Sequence, residues 1–301
     1  MPRHPFRRAR AARSVLVAAV LSVVMAAAGC RADAASGAPR SPRAPSTVDE
    51  VSFHAPADSE IPHDRVGEAI RRGRALLVAT RESLPDHVGS ALECVSCHPA
   101  AGTRANGMPW VGVYARFPQY RSRSGTVQLL EDRVNDCFLR SLNGRPLDPA
   151  SAEMRAIVAY FAFLSRGVPV GGQVRGQGLP KLAVTAGDTT RGAVIFASSC
   201  ARCHGDAGQG GAAPPLWGAR SFNVGAGMAR ARTAAAFIRH NMPADRPGTL
   251  TDQQAFDVAA YVVSRPRPDF AGKAQDWPYG DPPPDVAYPT AAGRKAAAPG
   301  R

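Results

Sequence analysis

Two short stretches, Cys94-Val-Ser-Cys97-His98 and Cys200-Ala-Arg-Cys203-His204, constrain this chain more than anything else in it. Each is a C-x-x-C-H motif, the attachment signature of c-type haem. Two thiols at this spacing reach the two vinyl groups of one porphyrin and form thioethers. The adjacent histidine ligates the iron from the proximal face. A zinc site would need a second ligand pair at finger-like spacing, and none follows either motif. One match could be accident; two predict a dihaem cytochrome with two covalently bound haem c groups, Cys94, Cys97 and His98 holding one and Cys200, Cys203 and His204 the other.

The other cysteines refine this expectation. Of six, four belong to the motifs, Cys30 closes an apolar leader, and Cys137 is left over. No disulfide is implied, although an exported protein would permit one. Residues 1–29 read as an export signal: a basic start, then an apolar run from Val15 to Ala28, too short and alanine-rich for a membrane span. The run ends Ala27-Ala28-Gly29-Cys30, which resembles a bacterial lipobox; ordinary cleavage near Ala28 is the alternative. A lipid on Cys30 would hold a periplasmic protein at a membrane. Net charge is +13, of which the five arginines of residues 1–29 account for five, leaving +8. That balance suits an anionic surface or substrate. Nucleic acid is not an expected partner, since no motif for it is present.

The 301 residues divide into a signal peptide (1–29), a flexible Ala/Ser/Pro/Arg-rich tether (30–60), a first domain (61–170), a Gly-rich linker (171–187), a second domain (188–266) and a Pro-rich tail (267–301). Helical spacing runs from Asp64 to Thr80, with Val66, Ile70 and Leu77 on one side. Asp148 and Pro149 read as the N-cap and first residue of a helix that reaches about Ser165 and carries Met154, Ile157, Val158, Phe161 and Leu164. In the second half, Asp188 caps a helix over Thr189 to Ser199. Thr251 and Gln254 form a capping box before a helix bearing Phe256, Val258, Val262 and Val263. Trp277, Pro278 and Tyr279 are expected to pack across a domain surface. The fold class is all-α, two cytochrome c-like domains each wrapped round one haem.

The halves form an internal repeat. Each reads leading helix, C-x-x-C-H, loop, sulfur residue, then a helix with an Ala-Tyr pair. From His98 to Cys137 is 39 positions, and from His204 to Met242 is 38. Cys137 and Met242 thus occupy the place from which a c-type domain supplies its distal ligand. A methionine thioether there raises the reduction potential, and a thiolate lowers it. Met228 and His240 compete with Met242; the first comes early for a chain that must go round the haem, and the second is expected to face solvent. Cys137 could instead be a small buried hydrophobe.

The segment Arg133-Val-Asn-Asp-Cys137-Phe-Leu-Arg-Ser141-Leu-Asn-Gly144, with Ser151-Ala-Glu-Met154, Leu216-Trp217-Gly218, Asn241-Met242-Pro243 and Asp276-Trp277-Pro278, resembles the dihaem tetrathionate-forming thiosulfate dehydrogenases. The likeness runs from about residue 60 to 290. It implies His98/Cys137 ligation at a catalytic haem, with Arg123, Arg133 and Ser141 in contact with substrate. The family places a variable residue before the second-haem methionine, sometimes a ligating lysine; Asn241 here makes His204/Met242 the simpler expectation. The implied reaction joins two thiosulfates into tetrathionate and releases two electrons to a small cytochrome c or a high-potential iron–sulfur protein. Two dianions at contact repel by several kcal/mol at an effective dielectric of about 20. Guanidinium groups offset this and bind sulfonate oxygens in bidentate fashion. On a helix, Arg133, Cys137 and Ser141 would share one face. The competing readings are a dihaem electron carrier, in which methionine would be expected at position 137, and the same enzyme working as a tetrathionate reductase.

Overall fold

The computed structural model describes residues 50–183 and 186–290; the leader, Cys30 and most of the expected tether lie outside them. Among the described residues, six helices of three or more turns carry the fold: α1 (Arg65–Val78), α2 (Leu130–Arg140), α3 (Ala152–Phe163), α4 (Thr189–Ser199), α5 (Ala231–Asn241) and α6 (Asp252–Val263). Two short ribbons accompany them. β1 (Glu50–Val51) pairs in parallel with β4 (Gln173–Val174), and β2 (Gln119–Arg121) pairs antiparallel with β3 (Thr126–Gln128). No helix among the described residues is long and apolar enough to cross a membrane.

The internal repeat appears as α1–α2–α3 followed by α4–α5–α6. Both leading helices start at the expected aspartate. Asp64 accepts from the Gly67 N–H at 2.8 Å, and Asp188 from the Arg191 N–H at 2.8 Å. Each capped turn satisfies a donor that the helix itself cannot. The leading helix then crosses the closing helix of its own half at a glycine. A Cβ on Gly73 would lie 1.9 Å from the Ala156 carbonyl oxygen, and one on Gly192 would lie 2.0 Å from that of Asp257. Only a hydrogen fits between these backbones, so the crossing depends on glycine for space. Buried Asp257 reinforces the second crossing by accepting from the Asp188 N–H and the Arg191 guanidinium.

The first core is contiguous. Ile70, Leu76 and Leu77 of α1 meet Met154, Ile157 and Phe161 of α3, with Phe138 of α2 and Trp110. Val66 does not join it and is 59% exposed. The crossing is centred on Gly73, so the first turn of α1, about 10 Å away, reaches past α3. The second half has two small clusters, one round Phe196, Val258 and Val262, the other round Ala234, Ala235, Phe256 and Ala259.

Several boundaries differ from expectation. α3 begins at Ala152, capped by the Ser151 hydroxyl, which accepts from the Met154 N–H at 3.1 Å. Asp148 instead closes a turn, taking the Ala150 N–H on its carboxylate. Asp-Pro was a good start signal, but the serine three residues on competes for the same role. Residues 50–51, expected in the tether, are a strand. Their partner, residues 173–174, was expected in the linker. That linker lies along the first half: the Asn106 N–H donates to the Gly176 carbonyl and the Met108 N–H to that of Gly178. The tail also returns to the first half, where the Trp277 N–H donates to the Arg123 carbonyl at 2.8 Å. Trp277 is buried, whereas Tyr279 remains 80% exposed beside Gly125.

Gly73→Ala and Gly192→Ala should each destabilise the protein by about 1–3 kcal/mol through overpacking, although alanine is the better helix former. A lower thermal midpoint for each variant checks this; an unchanged or raised midpoint would refute the backbone-contact reading of the crossings.

Candidate active site and haem pockets

The two attachment motifs present their histidines alike. The Nδ1 of His98 donates to the Met108 carbonyl at 2.5 Å, and that of His204 to the Pro214 carbonyl at 2.7 Å, each ten positions downstream. A carbonyl only accepts, so Nδ1 carries the proton and Nε2 keeps its lone pair. Burial also favours the neutral ring. It pushes His98 down to about 4 and lowers His204. A neutral imidazole with a fixed tautomer is what a metal ligand requires.

Each motif opens onto a cavity. Cys200, Cys203 and His204 line one of about 500 Å³ with Phe237, Ile238 and Met242. Val258 and Val262 of one small cluster and Ala234 of the other also line it. Cys94, Cys97 and His98 line a narrower cleft with Trp110, Val134 and Cys137. The donors in each cavity (two thiols, one neutral imidazole and a facing sulfur) fit a covalently held haem. Met228 lines the larger cavity beside Met242. His240 does not line it; the residue is half-buried, and its Nε2 is covered without a hydrogen-bond partner. Leu92 and Cys97 line both cavities, so the two spaces share a wall.

The leftover cysteine sits on α2 and lines the first haem cleft, next to a third, polar pocket lined by its helix neighbours Arg133 and Ser141. Arg133, Cys137 and Ser141 follow one another at intervals of four along α2, Ser141 being its C-cap. They share a face, as expected. The Arg133 Nη1 donates to the Cys137 Sγ at 2.9 Å. Cys137 is the main influence holding the Arg133 guanidinium above its ordinary value. Ser141 lines both the first haem cleft and a polar pocket of about 360 Å³. Arg123 and Arg133 line that same pocket. The Arg123 Nη1 donates to the Gly225 carbonyl at 2.7 Å, and its guanidinium lies 4.6 Å over the Trp277 ring. Burial pushes Arg123 down to about 10, with Arg140 adding to the effect.

Sequence reasoning missed the rest of this pocket: Arg121, Arg140, Arg230 and the tail. Arg140 makes two 2.8 Å hydrogen bonds to the Asp276 carboxylate and one of 3.4 Å to Asp136. Asp276 also accepts from the Tyr288 hydroxyl at 2.6 Å. Burial raises the Tyr288 hydroxyl to about 12, so it remains a donor. The i,i+4 spacing of Asp136 and Arg140 was a legible signal; the partner 136 positions away was not. The Arg140 and Asp276 side chains are 11% and 3% exposed. Removing one partner of such a pair leaves the other charge uncompensated. Asp276→Ala should therefore cost about 3 kcal/mol and release the tail. A lower thermal midpoint with faster proteolysis between residues 267 and 290 would show this, whereas an unchanged digestion pattern would exclude the pair as the tail's anchor.

Comparison with known proteins accounts for both halves. The SoxA/TsdA cytochrome c domain matches residues 87–170, and the cytochrome c oxidase cbb3-type subunit III family matches residues 187–262. A thiosulfate dehydrogenase of Allochromatium vinosum is 45% identical over 232 residues, covering 73% of this chain and 86% of the relative. One from Psychrobacter arcticus is 42% identical over 239 residues, covering 77% and 73%. Among solved structures, the as-isolated thiosulfate dehydrogenase TsdBA of Marichromatium purpuratum superposes with a TM-score of 0.73 at 33% identity. The match covers 80% of this chain and 56% of that one, so the chain spans little more than half the length of that protein. Two cytochrome c domains with two covalent c-type haems, and identities of 42–45% over most of the chain, make the chain a member of the dihaem thiosulfate dehydrogenase family.

Proposed function

We propose that this protein oxidises two thiosulfate ions to tetrathionate, 2 S₂O₃²⁻ → S₄O₆²⁻ + 2 e⁻, and passes the electrons on through its two haems. The observation that carries this reading is the 2.9 Å contact between Arg133 and the Cys137 sulfur, at the seam where haem cleft and arginine-lined pocket meet. A plain carrier has no use for an arginine-lined pocket beside its haem cleft.

Each haem, when bound, would accept one electron, with His98 and Cys137 as the residues that would hold the first iron and His204 and Met242 the second. The protein's residues do the rest. Arg133 and Ser141 hold the first sulfonate with its outer sulfur towards Cys137. Arg123, steadied by the Gly225 carbonyl and the Trp277 face, helps neutralise the second ion. With charge centres about 6 Å apart, two dianions repel by about 10 kcal/mol at an effective dielectric of about 20, so bonding between them needs this positive surround. Met242, which follows the end of α5, would be the sulfur ligand holding the second haem and would give it the higher potential, and the wall shared by Leu92 and Cys97 would give the electrons a short path to it. From there they leave to a small cytochrome c or high-potential iron–sulfur protein in the periplasm, with Cys30 as the lipid attachment point.

Haem-loaded protein given thiosulfate and ferricyanide should form one tetrathionate per two thiosulfates, and Cys137→Ala should retain both haems but lose this activity by about a hundredfold or more. Full activity in Cys137→Ala would remove the sulfur from the mechanism. Met242→Ala should change the spectrum of the second haem and lower its potential; an unchanged spectrum would assign the distal place to another residue, with Met228 the next to test.

A further inference from the structure

The polar pocket is walled from both halves of the chain. Arg121, Arg123, Arg133 and Arg140 come from the first, and Arg230 from the second, where it precedes α5. Arg121 donates to Gln119, Arg123 to a carbonyl, Arg133 to Cys137, and Arg140 to two carboxylates. Arg230 differs from these four. Its Nε is buried without a hydrogen-bond partner, and no carboxylate among the described residues is paired with it. The tail's Asp285 is taken by the Arg232 N–H instead. A buried donor on a cation with no partner is costly, and the cost persists where a ligand completes it.

Charge points the same way. Five guanidiniums face the pocket, and two carboxylates, Asp136 and Asp276, are both engaged by Arg140. Three positive charges remain uncompensated. One thiosulfate dianion leaves a net positive pocket, and a second brings it slightly past neutrality. The pocket can thus take a second dianion at the cost of only one net negative charge, and Arg133 and Ser141 beside Cys137 account for the first alone.

We propose that Arg230 is the substrate-binding residue for the second, outer sulfonate, so that the electron-transfer half of the chain completes the substrate site of the catalytic half. This rests on the thiosulfate reading above. The inner ion lies against Arg133 and Ser141; the outer one spans Arg230 and Arg123. In tetrathionate the two sulfonates are the ends of one molecule, so the product also reaches from the inner to the outer place.

Two measurements on haem-loaded protein test this. The KM for thiosulfate with ferricyanide should rise about tenfold or more in Arg230→Gln, the loss expected for one charged hydrogen-bonding partner, while kcat stays within about twofold. The Kd for tetrathionate on the fully oxidised protein, read by calorimetry, should weaken by a similar factor. Arg230→Lys should recover part of both, and thermal midpoint and haem absorbance should match the wild type. Wild-type KM and Kd in Arg230→Gln would overturn the proposal, as would a fall in thermal midpoint that Arg230→Lys shares. If the wild type oxidises no thiosulfate yet tetrathionate binding still weakens in Arg230→Gln, the reaction is wrong and the anion site stands.

Discussion

The Arg140–Asp276 pair is a nearly buried ion pair that ties the tail to α2, 136 positions away in sequence. Its two parallel hydrogen bonds are nearly sealed from water, where a carboxylate is tolerated only with its oxygens satisfied. Tyr288 satisfies one of them further. Fixing Asp276 fixes its neighbour Trp277, whose ring lies under Arg123 and whose N–H holds the Arg123 carbonyl. One of the pocket's cations is thus positioned by a segment that follows the second domain. The pair also absorbs the charge of Arg140 within the wall, so that Arg121, Arg123, Arg133 and Arg230 face the pocket with Asp136 as the one further carboxylate. A site that must gather two dianions needs concentrated positive charge, and concentrated charge needs a rigid frame.

The two halves share one plan and diverge in what it serves. Each leading helix is capped by aspartate and crosses its closing helix at a glycine. Each proximal histidine gives its Nδ1 proton to a carbonyl ten positions on. The difference lies at the distal sulfur. In the first half it sits mid-helix on α2, with Arg133 one turn before and Ser141 one turn after, so one helical face serves a haem cleft and a polar pocket together. In the second half Met242 follows the end of α5, facing an apolar cavity with no comparable cluster of cations. One half thus carries cations beside its distal sulfur, and the other does not.

Where a single short-range rule governed, the sequence was sufficient. Cys94, Cys97, Cys200 and Cys203 declare their chemistry by spacing, and Asp188 and Thr251 cap their helices as read. The helical period alone put Arg133, Cys137 and Ser141 on one face. Errors arose where two local signals competed. Asp148 and Ser151 could each begin α3, and the serine prevailed because the aspartate closed a turn on itself. Composition also misled: the Gly-rich stretch from 171 reads as a free linker, yet its backbone groups pair with β1 and with Asn106 and Met108.

The sequence by itself determined two haems, a helical repeat with a sulfur at the same place in each half, and the cluster of functional groups along α2, because each follows from spacing within a few turns of chain. Only the tertiary structure decided which arginines, out of many, face one pocket. Arg140 meets Asp276, Arg123 meets Trp277, and Arg230 arrives from the other half across about a hundred residues of sequence. Such meetings are set by how the helices cross and where the tail returns, and no periodicity in the chain encodes a distance between residues brought together that way.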